Sequence, residues 1–185
     1  NNLFDLIKNI TNDIFVPITL GGGIRSLKDI ENALNSGADK VAINSKALED
    51  SNFLNEAVNN FGMSTIVVNI EAKKISTNRW EPYKFCGREK SNIKLQDWLK
   101  IIQNKGCGEI LLTSIDKDGT ETGFDAELLD SVYDKIKKPL IISGGCGNLN
   151  HIYEIKKKYK SISIAVAAVL HYKILSISEI KKAFK

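Results

Sequence analysis

The sequence has few cysteines and histidines and no long apolar segment. Three cysteines, without paired spacing, and two histidines occur among 185 residues. So few metal ligands give no reason to expect a metal or a cofactor, and unpaired cysteines are typical of a reducing compartment, which predicts a cytoplasmic location. No apolar run approaches the roughly 18 residues of a membrane helix, and no charged-then-apolar leader is recognisable. We therefore expect a soluble, unexported protein without a membrane partner.

The charge is only mildly positive and is not concentrated. The formal net charge of +4 arises from 26 Lys and Arg against 22 Asp and Glu, and the lysines are scattered through helical stretches. Binding to a nucleic-acid backbone requires a concentrated basic patch, so a nucleic-acid partner is not expected. A mild positive excess favours instead an anionic small-molecule substrate.

Apolar, β-branched runs alternate with amphipathic helical patterns along the whole chain. The predicted strands are residues 16–20, 40–43, 65–70, 109–113, 139–142 and 163–167. The predicted helices are residues 27–35, 52–61, 95–104, 126–135, 149–158 and 178–184. Continuous apolar strands are typical of a parallel sheet covered on both faces, and six strand–helix units in a row predict an α/β fold.

An internal repeat distinguishes a closed barrel from an open doubly wound sheet. Residues 17–24 and 41–44 are echoed by residues 139–146 and 164–168, which suggests two similar half-barrels. A complete TIM barrel has about 250 residues, more than this chain. Because the sequence starts at Asn1 and residues 3–10 already follow a helical spacing, we expect one domain over residues 1–185, a (βα)8 TIM-type barrel that is incomplete at its N-terminus.

Two glycine-rich turns follow predicted strands in the two halves. Gly22 and Gly23 belong to the first turn, and Gly144 and Gly145 to the second. Glycine allows a sharp turn and a close approach to a ligand, and the amides of a following helix attract anions, although a plain tight turn has the same pattern. Two such turns at one end of a barrel predict a site for a substrate with two phosphates.

Polar residues end several predicted strands, where barrel side chains reach a ligand. They are Asn44, Ser45, Glu71, Thr113, Ser114, Asp116 and Asp118. Carboxylates at such positions can transfer protons, although capping and turn formation are the alternative roles. Neither histidine is placed in the site, because His151 belongs to the first turn of a predicted helix and His171 lies beyond the last strand.

The segment from residue 73 to residue 94 is far longer than an ordinary connection between a strand and a helix. It contains aromatic residues and a Gly87-Arg88 pair. A lid, a docking surface and a small β-hairpin are all compatible with its sequence.

Four strings make the chain resemble the cyclase subunit of imidazole glycerol phosphate synthase. They are PITLGGGIR at residues 17–25, GADKVAINS at 37–45, GEILLTSIDKDG at 108–119 and SGGCG at 143–147. The resemblance covers the whole chain and implies strands 3 to 8 of the barrel. It also implies a cyclase of histidine biosynthesis that takes ammonia from a glutaminase partner. With that ammonia it would convert a phosphoribulosyl aminoimidazole carboxamide nucleotide to imidazole glycerol phosphate and an aminoimidazole ribonucleotide.

The resemblance also implies roles for particular residues. Glu71 stands where the family has one of two catalytic aspartates, and the strand that carries the other is not part of this sequence. Val169 stands where the family usually has a serine, so the phosphate would have to rely there on the backbone amide. Our enzyme hypothesis makes Glu71 a general acid or base that Asp116 assists, with Thr113 and Ser143 as further substrate contacts. The phosphate-binding residues that the resemblance implies are Gly23, Asn44 and Ser45 for one phosphate, and Asp118, Gly119, Gly145, Ala168 and Val169 for the other. Gly22 and Gly144, which belong to the same two turns, are predicted to bind phosphate with them.

Two alternatives stay open. A sister group, the glycosyl amidation proteins of surface polysaccharide synthesis, resembles the chain in the same motifs, and CGREK at residues 86–90 is closer to that group. A non-catalytic ammonia conduit or scaffold is the third hypothesis. One extra methylene at Glu71 can shift a carboxylate by about 1 Å, which can cost roughly a hundredfold in rate. The 185 residues alone are expected to be inactive.

Overall fold

A computed structural model describes residues 3–11 and 14–184, with side chains from Leu6 onward. Helix α1 (Leu3–Thr11) confirms the helical spacing predicted at the start of the chain. The side chains of Leu3 and Phe4, which belong to that pattern, lie outside the described part.

Six parallel strands form the main sheet. They are β1 (Thr19–Gly21), β2 (Lys40–Ile43), β3 (Ile66–Ser76), β6 (Glu109–Ser114), β7 (Leu140–Ser143) and β8 (Ser163–Ala165). Their spatial order is β1-β2-β3-β6-β7-β8, and every pairing along this path is parallel. Between β3 and β6, strands β4 (Arg79–Lys84) and β5 (Glu89–Lys90) extend the sheet as an antiparallel hairpin on β3.

The strands are staggered as in a barrel. Gly21, the last residue of β1, pairs with Ala42 of β2, and Ala42 pairs with Val67 of β3. Val67 in turn pairs with Glu109, the first residue of β6, so the paired position moves from the end of one strand to the start of another. Such a steady shift is the shear that a closed barrel requires, and it curls the sheet. The architecture is therefore that of a TIM-type (βα)8 fold, and within the described residues β1 and β8 are the two end strands and do not pair with each other.

Helices connect the strands and cover the outer face of the sheet. After α1 they are α2 (Leu27–Asn35), α3 (Ser45–Glu49), α4 (Asn52–Phe61), α5 (Leu95–Asn104), α6 (Ala126–Val132), α7 (Leu149–Lys158), α8 (Ala168–His171) and α9 (Ile177–Phe184). No helix in residues 3–11 or 14–184 is long and apolar enough to cross a membrane.

The two faces of the sheet differ in burial. On β3, Ile66, Val68 and Ile70 point outward and have no exposed surface, because the helices pack against them. Most of the inner face is only half-buried and it carries polar side chains, whereas Val67 at its amino end is buried. At its amino edge Lys40 and Glu109 form an ion pair across β3. Burial thus places the core between sheet and helices and leaves the inner face accessible to a ligand.

Some predicted boundaries were wrong. The first strand begins at Thr19 instead of residue 16, because Pro17 has no N–H and the Ile18 amide donates to the Asp39 carboxylate at 2.7 Å. The last strand ends at Ala165, since Ala167 already caps α8. The helix predicted to reach residue 135 ends at Val132 and continues as a 3₁₀ turn.

Candidate active site

Both glycine turns lie at the same edge of the sheet. Gly22 and Gly23 follow β1, Gly144 and Gly145 follow β7, and the carboxyl ends of parallel strands meet at one edge. All four glycines have φ values between +75° and +98°, a backbone conformation that glycine adopts without steric cost. The predicted common edge is therefore confirmed.

The first turn is exposed, and the helix after it is already capped. Ser26 and Asp29 form a capping box in which the Asp29 carboxylate accepts hydrogen bonds from the amides of Arg25 and Ser26. These bonds, the Arg25 one foremost, hold the pKa of Asp29 below its ordinary value. The amides of Arg25 and Ser26 are thus already engaged by Asp29 and are not free to bind an anion.

Asn44 and Ser45 stand beside the first turn, at the end of the neighbouring strand β2. Ser45 opens α3, and its hydroxyl oxygen accepts a hydrogen bond from the Phe85 amide at 2.9 Å. The Asn44 amide group donates to the Tyr83 carbonyl at 3.0 Å, whereas its buried oxygen has no partner within the described part of the chain. Both side chains are held by the hairpin after β3.

The second turn is tightly packed. The Gly123 amide donates to the Gly145 carbonyl at 2.7 Å, and a Cβ on Gly145 would stand 2.1 Å from the Gly123 oxygen. A small cleft opens beside it, and most of the residues expected at the second phosphate line this cleft. Its lining includes Asp118, Gly119, Ser143, Gly144, Gly145 and Ala168. Val169 is fully buried in the core, so only its backbone could contact a ligand there.

The His151 side chain contacts the backbone just after the second turn. It lies in the first turn of α7, as predicted, and its Nδ1 atom accepts a hydrogen bond from the Gly147 amide at 3.0 Å. The Asn148 side chain caps the same helix by accepting from the His151 amide. The imidazole therefore fixes a backbone group of the turn.

Three predicted residues form a row between the turns. Glu71, Thr113 and Ser143 are register partners on β3, β6 and β7, so their side chains share the inner face. All three are partly buried. Ser114 points to the outer face instead, where its hydroxyl donates to Asp125 at 2.7 Å. The row thus presents one carboxylate and two hydroxyls between the two turns.

Glu71 has the environment of a proton-transfer group. Burial raises the pKa of its carboxyl above the ordinary value of 4.5, and the nearby Asp118 carboxylate raises it further. The Gly87 amide opposes this shift by donating a hydrogen bond to Oε2 at 2.8 Å. A carboxyl with a raised pKa exchanges protons closer to neutral pH, as general acids and bases must.

Asp116 lies apart from this row. It is exposed, and its carboxylate accepts a hydrogen bond from the Lys74 amide at 2.7 Å, beyond Glu71 along β3. This contact ties the loop after β6 to the extension of β3. The structure therefore gives Asp116 a supporting contact, and Asp118 is the aspartate whose charge acts on Glu71.

The long segment after Glu71 is a small β-hairpin, one of the three possibilities that its sequence allowed. Its backbone contacts Asn44, Ser45 and Glu71, which was not anticipated. The Gly87-Arg88 pair was a possible signal, because a glycine in a long insertion often marks a close backbone approach.

Comparisons with known proteins show the family of this chain. The family model described as "Histidine biosynthesis protein" matches residues 1–176. The chain is 41% identical over 181 residues to the imidazole glycerol phosphate synthase subunit HisF of Streptococcus mutans, covering 98% of this chain and 72% of that protein. For the HisF subunit of Lactococcus lactis the identity is 43%, with 96% and 69% covered. For that of Hydrogenobaculum it is 41%, with 100% and 73% covered. The chain belongs to the histidine biosynthesis protein family.

Proposed function

We propose that this chain is the cyclase subunit of an imidazole glycerol phosphate synthase. It would take ammonia from a glutaminase partner and convert the phosphoribulosyl aminoimidazole carboxamide nucleotide to imidazole glycerol phosphate and the aminoimidazole ribonucleotide. The HisF relatives, about 40% identical over nearly the whole chain, support this assignment. The unpaired cysteines favour a cytoplasmic site for the reaction.

The two glycine turns suit the two phosphates of such a substrate. Gly22 and Gly23, with Asn44 and Ser45, would bind one phosphate, and the cleft at Gly144 and Gly145 would bind the other. Backbone amides in turns and at helix starts form concave sites for anions. A ligand held at both ends lies across the inner-face row, so its reacting atoms meet Glu71.

Glu71 would act as general acid or base during ring closure. Its raised pKa keeps part of the population protonated closer to neutral pH, so it can give a proton as well as accept one. Thr113 and Ser143 would orient the substrate through their hydroxyls. Asp116 would assist indirectly, by holding the strand extension that carries Lys74.

One observation carries the proposal: the register that places Glu71, Thr113 and Ser143 in a single row between two glycine turns at the same edge. A carboxylate in a half-buried row between two anion sites is an arrangement for chemistry on a bisphosphorylated molecule. A structural ion pair would instead put a cation next to the carboxylate, and the groups acting on Glu71 are an amide and a second carboxylate.

Substitution of Glu71 by glutamine tests the assignment. In the natural protein with its glutaminase, ammonia-dependent cyclisation by E71Q should fall by about 10²- to 10⁴-fold, the usual contribution of a general acid or base. The control is E56Q, on the exposed side of α4. Cyclisation at the wild-type rate in E71Q would rule out the proposed role of Glu71.

A second candidate is ammonia supply for sugar modification. The observation that favours it is the contact between Glu71 and Gly87, because Gly87 lies in the CGREK stretch that resembles the glycosyl amidation group. A conduit needs no proton transfer at Glu71. Full activation of the glutaminase and full amidation of a sugar acceptor by E71Q, without any cyclisation by the wild type, would favour this candidate over the cyclase.

A further inference from the structure

The tip of the hairpin contacts three residues of the proposed site at once. We define the hairpin tip as residues 83–87. The Tyr83 carbonyl accepts from Asn44 at 3.0 Å, the Phe85 amide donates to Ser45 at 2.9 Å, and the Gly87 amide donates to Glu71 at 2.8 Å. All three tip groups belong to the backbone, so their spacing is set by the chain itself.

Each of these contacts leaves its partner able to bind a ligand. Ser45 accepts through its oxygen, so its own hydroxyl hydrogen can still be donated to a phosphate. Asn44 uses one of its two N–H bonds, and Glu71 uses one of its two carboxylate oxygens. The tip therefore orients the three side chains without consuming the groups that the reaction needs.

The tip is held in an unusual conformation. Phe85, Cys86 and Gly87 have φ values of +53°, +57° and +76°, three successive residues in the left-handed region. For Phe85 and Cys86 this conformation costs free energy and persists only where surrounding contacts support it. A Cβ on Gly87 would stand 3.3 Å from the Ile115 side chain, which shows that the tip lies close against the loop after β6.

We propose that the hairpin tip is the positioning element of the catalytic edge, which holds Ser45 and Asn44 at the first phosphate site and Glu71 at the reaction centre in one fixed arrangement. The inference rests on the proposed function and adds to it a mechanical link between phosphate binding and the carboxylate. Phe85 contacts Ser45 and Gly87 contacts Glu71, and these two tip residues are only two positions apart. A displacement at Ser45 would therefore be transmitted to Glu71 through a single turn of the backbone. Gly87 is a positioning residue and makes no contact with substrate in this scheme.

Replacing single amides by esters tests the link with little change in shape. Glycolic acid in place of Gly87 removes only the N–H that donates to Glu71. The matched control is the same replacement at Gly62, which also has a left-handed φ of +85° and donates to the Val58 carbonyl at 2.9 Å, far along α4 from the site. Titration of the Glu71 carboxyl by ¹³C NMR, in the natural protein without substrate, reports the result directly.

The hydrogen bond from the Gly87 amide lowers the pKa of Glu71, so its loss in the ester at residue 87 should raise that pKa. The ester at residue 62 should leave the pKa of Glu71 unchanged. The pH profile of cyclisation should shift in the same direction. An ester at Phe85 should weaken the binding of inorganic phosphate by on the order of fivefold, the loss of one hydrogen bond. Identical Glu71 titrations in the two glycine esters would overturn the proposal.

Failure of this inference can be distinguished from failure of the proposed function. The titration requires no turnover, so it decides the role of the tip even in a protein that cyclises nothing, whereas E71Q tests the chemistry alone.

Should the esters not fold, G87A and G62A provide a second pair, because both place a Cβ at a left-handed position but only the first is crowded by Ile115. A nitroxide on the exposed Cys86 should become more mobile in G87A, together with weaker phosphate binding. A mobile tip with unchanged phosphate affinity and an unchanged Glu71 titration would contradict the link.

Discussion

The two glycine turns have nearly the same sequence and opposite surroundings. Gly22 and Gly23 are exposed, and a Cβ on either would meet no atom within 4 Å. Gly144 and Gly145 are buried. A Cβ on Gly144 would stand 2.8 Å from the Ser114 oxygen at the end of β6, and one on Gly145 would stand 2.1 Å from the Gly123 oxygen in the loop after β6. In the first turn glycine is required by the backbone angle alone, and in the second it is required by the angle and by lack of space. A repeated motif can thus combine a pliable site with a preformed one.

The largest expected effect compares G145A with G23A. An L-residue in the left-handed region costs roughly 1–2 kcal/mol, so G23A should lose about that much in the free energy of unfolding. G145A adds a clash with the Gly123 carbonyl, and overpacking costs about 1–3 kcal/mol more, giving a total of about 3 kcal/mol or a failure to fold. Urea denaturation of both variants measures the difference, and equal losses would show that the two turns are packed alike.

Thiol reactivity extends the comparison, because Cys146 lies within the second turn. Burial raises the pKa of the Cys146 thiol and raises that of Cys107 to about 11, whereas Cys86 is exposed on the hairpin tip. Since the thiolate is the reactive form, alkylation at neutral pH should modify Cys86 at least about tenfold faster than Cys146. Mass spectrometry of the labelled peptides provides the rates. Equal rates for Cys86 and Cys146 would mean that the second turn opens readily.

Removal of the imidazole behind the second turn should have a smaller effect. H151A deprives the Gly147 amide of its acceptor and should cost about 1 kcal/mol of unfolding free energy. H171A is the control. His171 is exposed at the end of α8, and among the aromatic groups of the described chain its ring contacts only that of Tyr172. Its removal should therefore change the free energy of unfolding by no more than about 0.5 kcal/mol. A loss as large in H171A as in H151A would remove the support assigned to His151.

The smallest effect concerns Glu71, which lies between the turns. The pKa of Glu71 in the folded state is raised above the ordinary value of 4.5, so the folded protein disfavours the ionised carboxylate. The free energy of unfolding should therefore fall as the pH rises from 4.5 through the folded-state pKa. E71Q cannot ionise, and it should therefore be modestly more stable than the wild type at pH 8 and nearly equal to it at pH 4. Denaturation at both pH values, with E56Q as control, measures this. A stability difference that does not depend on pH would argue against burial as the cause of the shift.

The position of the site follows from local sequence, because strand ends and glycine turns can be recognised without knowing what packs around them. Thr113 ends a predicted strand, Glu71 and Ser143 each directly follow one, and parallel strands bring their carboxyl ends together. The stagger that aligns these three residues in one row depends on pairings between residues 42 and 30 positions apart, and only the folded sheet defines it.

The conformation of the hairpin tip could not be predicted in the same way. Phe85 and Cys86 have no preference for the left-handed region, so nothing in their identity indicates it. Tertiary contacts with Ser45, Glu71 and Ile115 select that conformation. For the same reason the difference between the two glycine turns was not visible, since it arises from residues 114–123 and not from the turns.

Strand β3 is the longest of the sheet. Its residues 67–72 pair with β6 on one side, while β2 and then β4 pair with residues 66–68 and 71–76 on the other. The outward side chains of Ile66, Val68, Ile70 and Ala72 are also completely covered. We therefore expect the amide hydrogens of residues 67–72 to exchange with solvent only when the sheet around them opens. The carboxylate proposed to move protons thus sits on a strand that is buried within the sheet, while the backbone amide that contacts it belongs to a hairpin tip whose Phe85 and Cys86 are exposed.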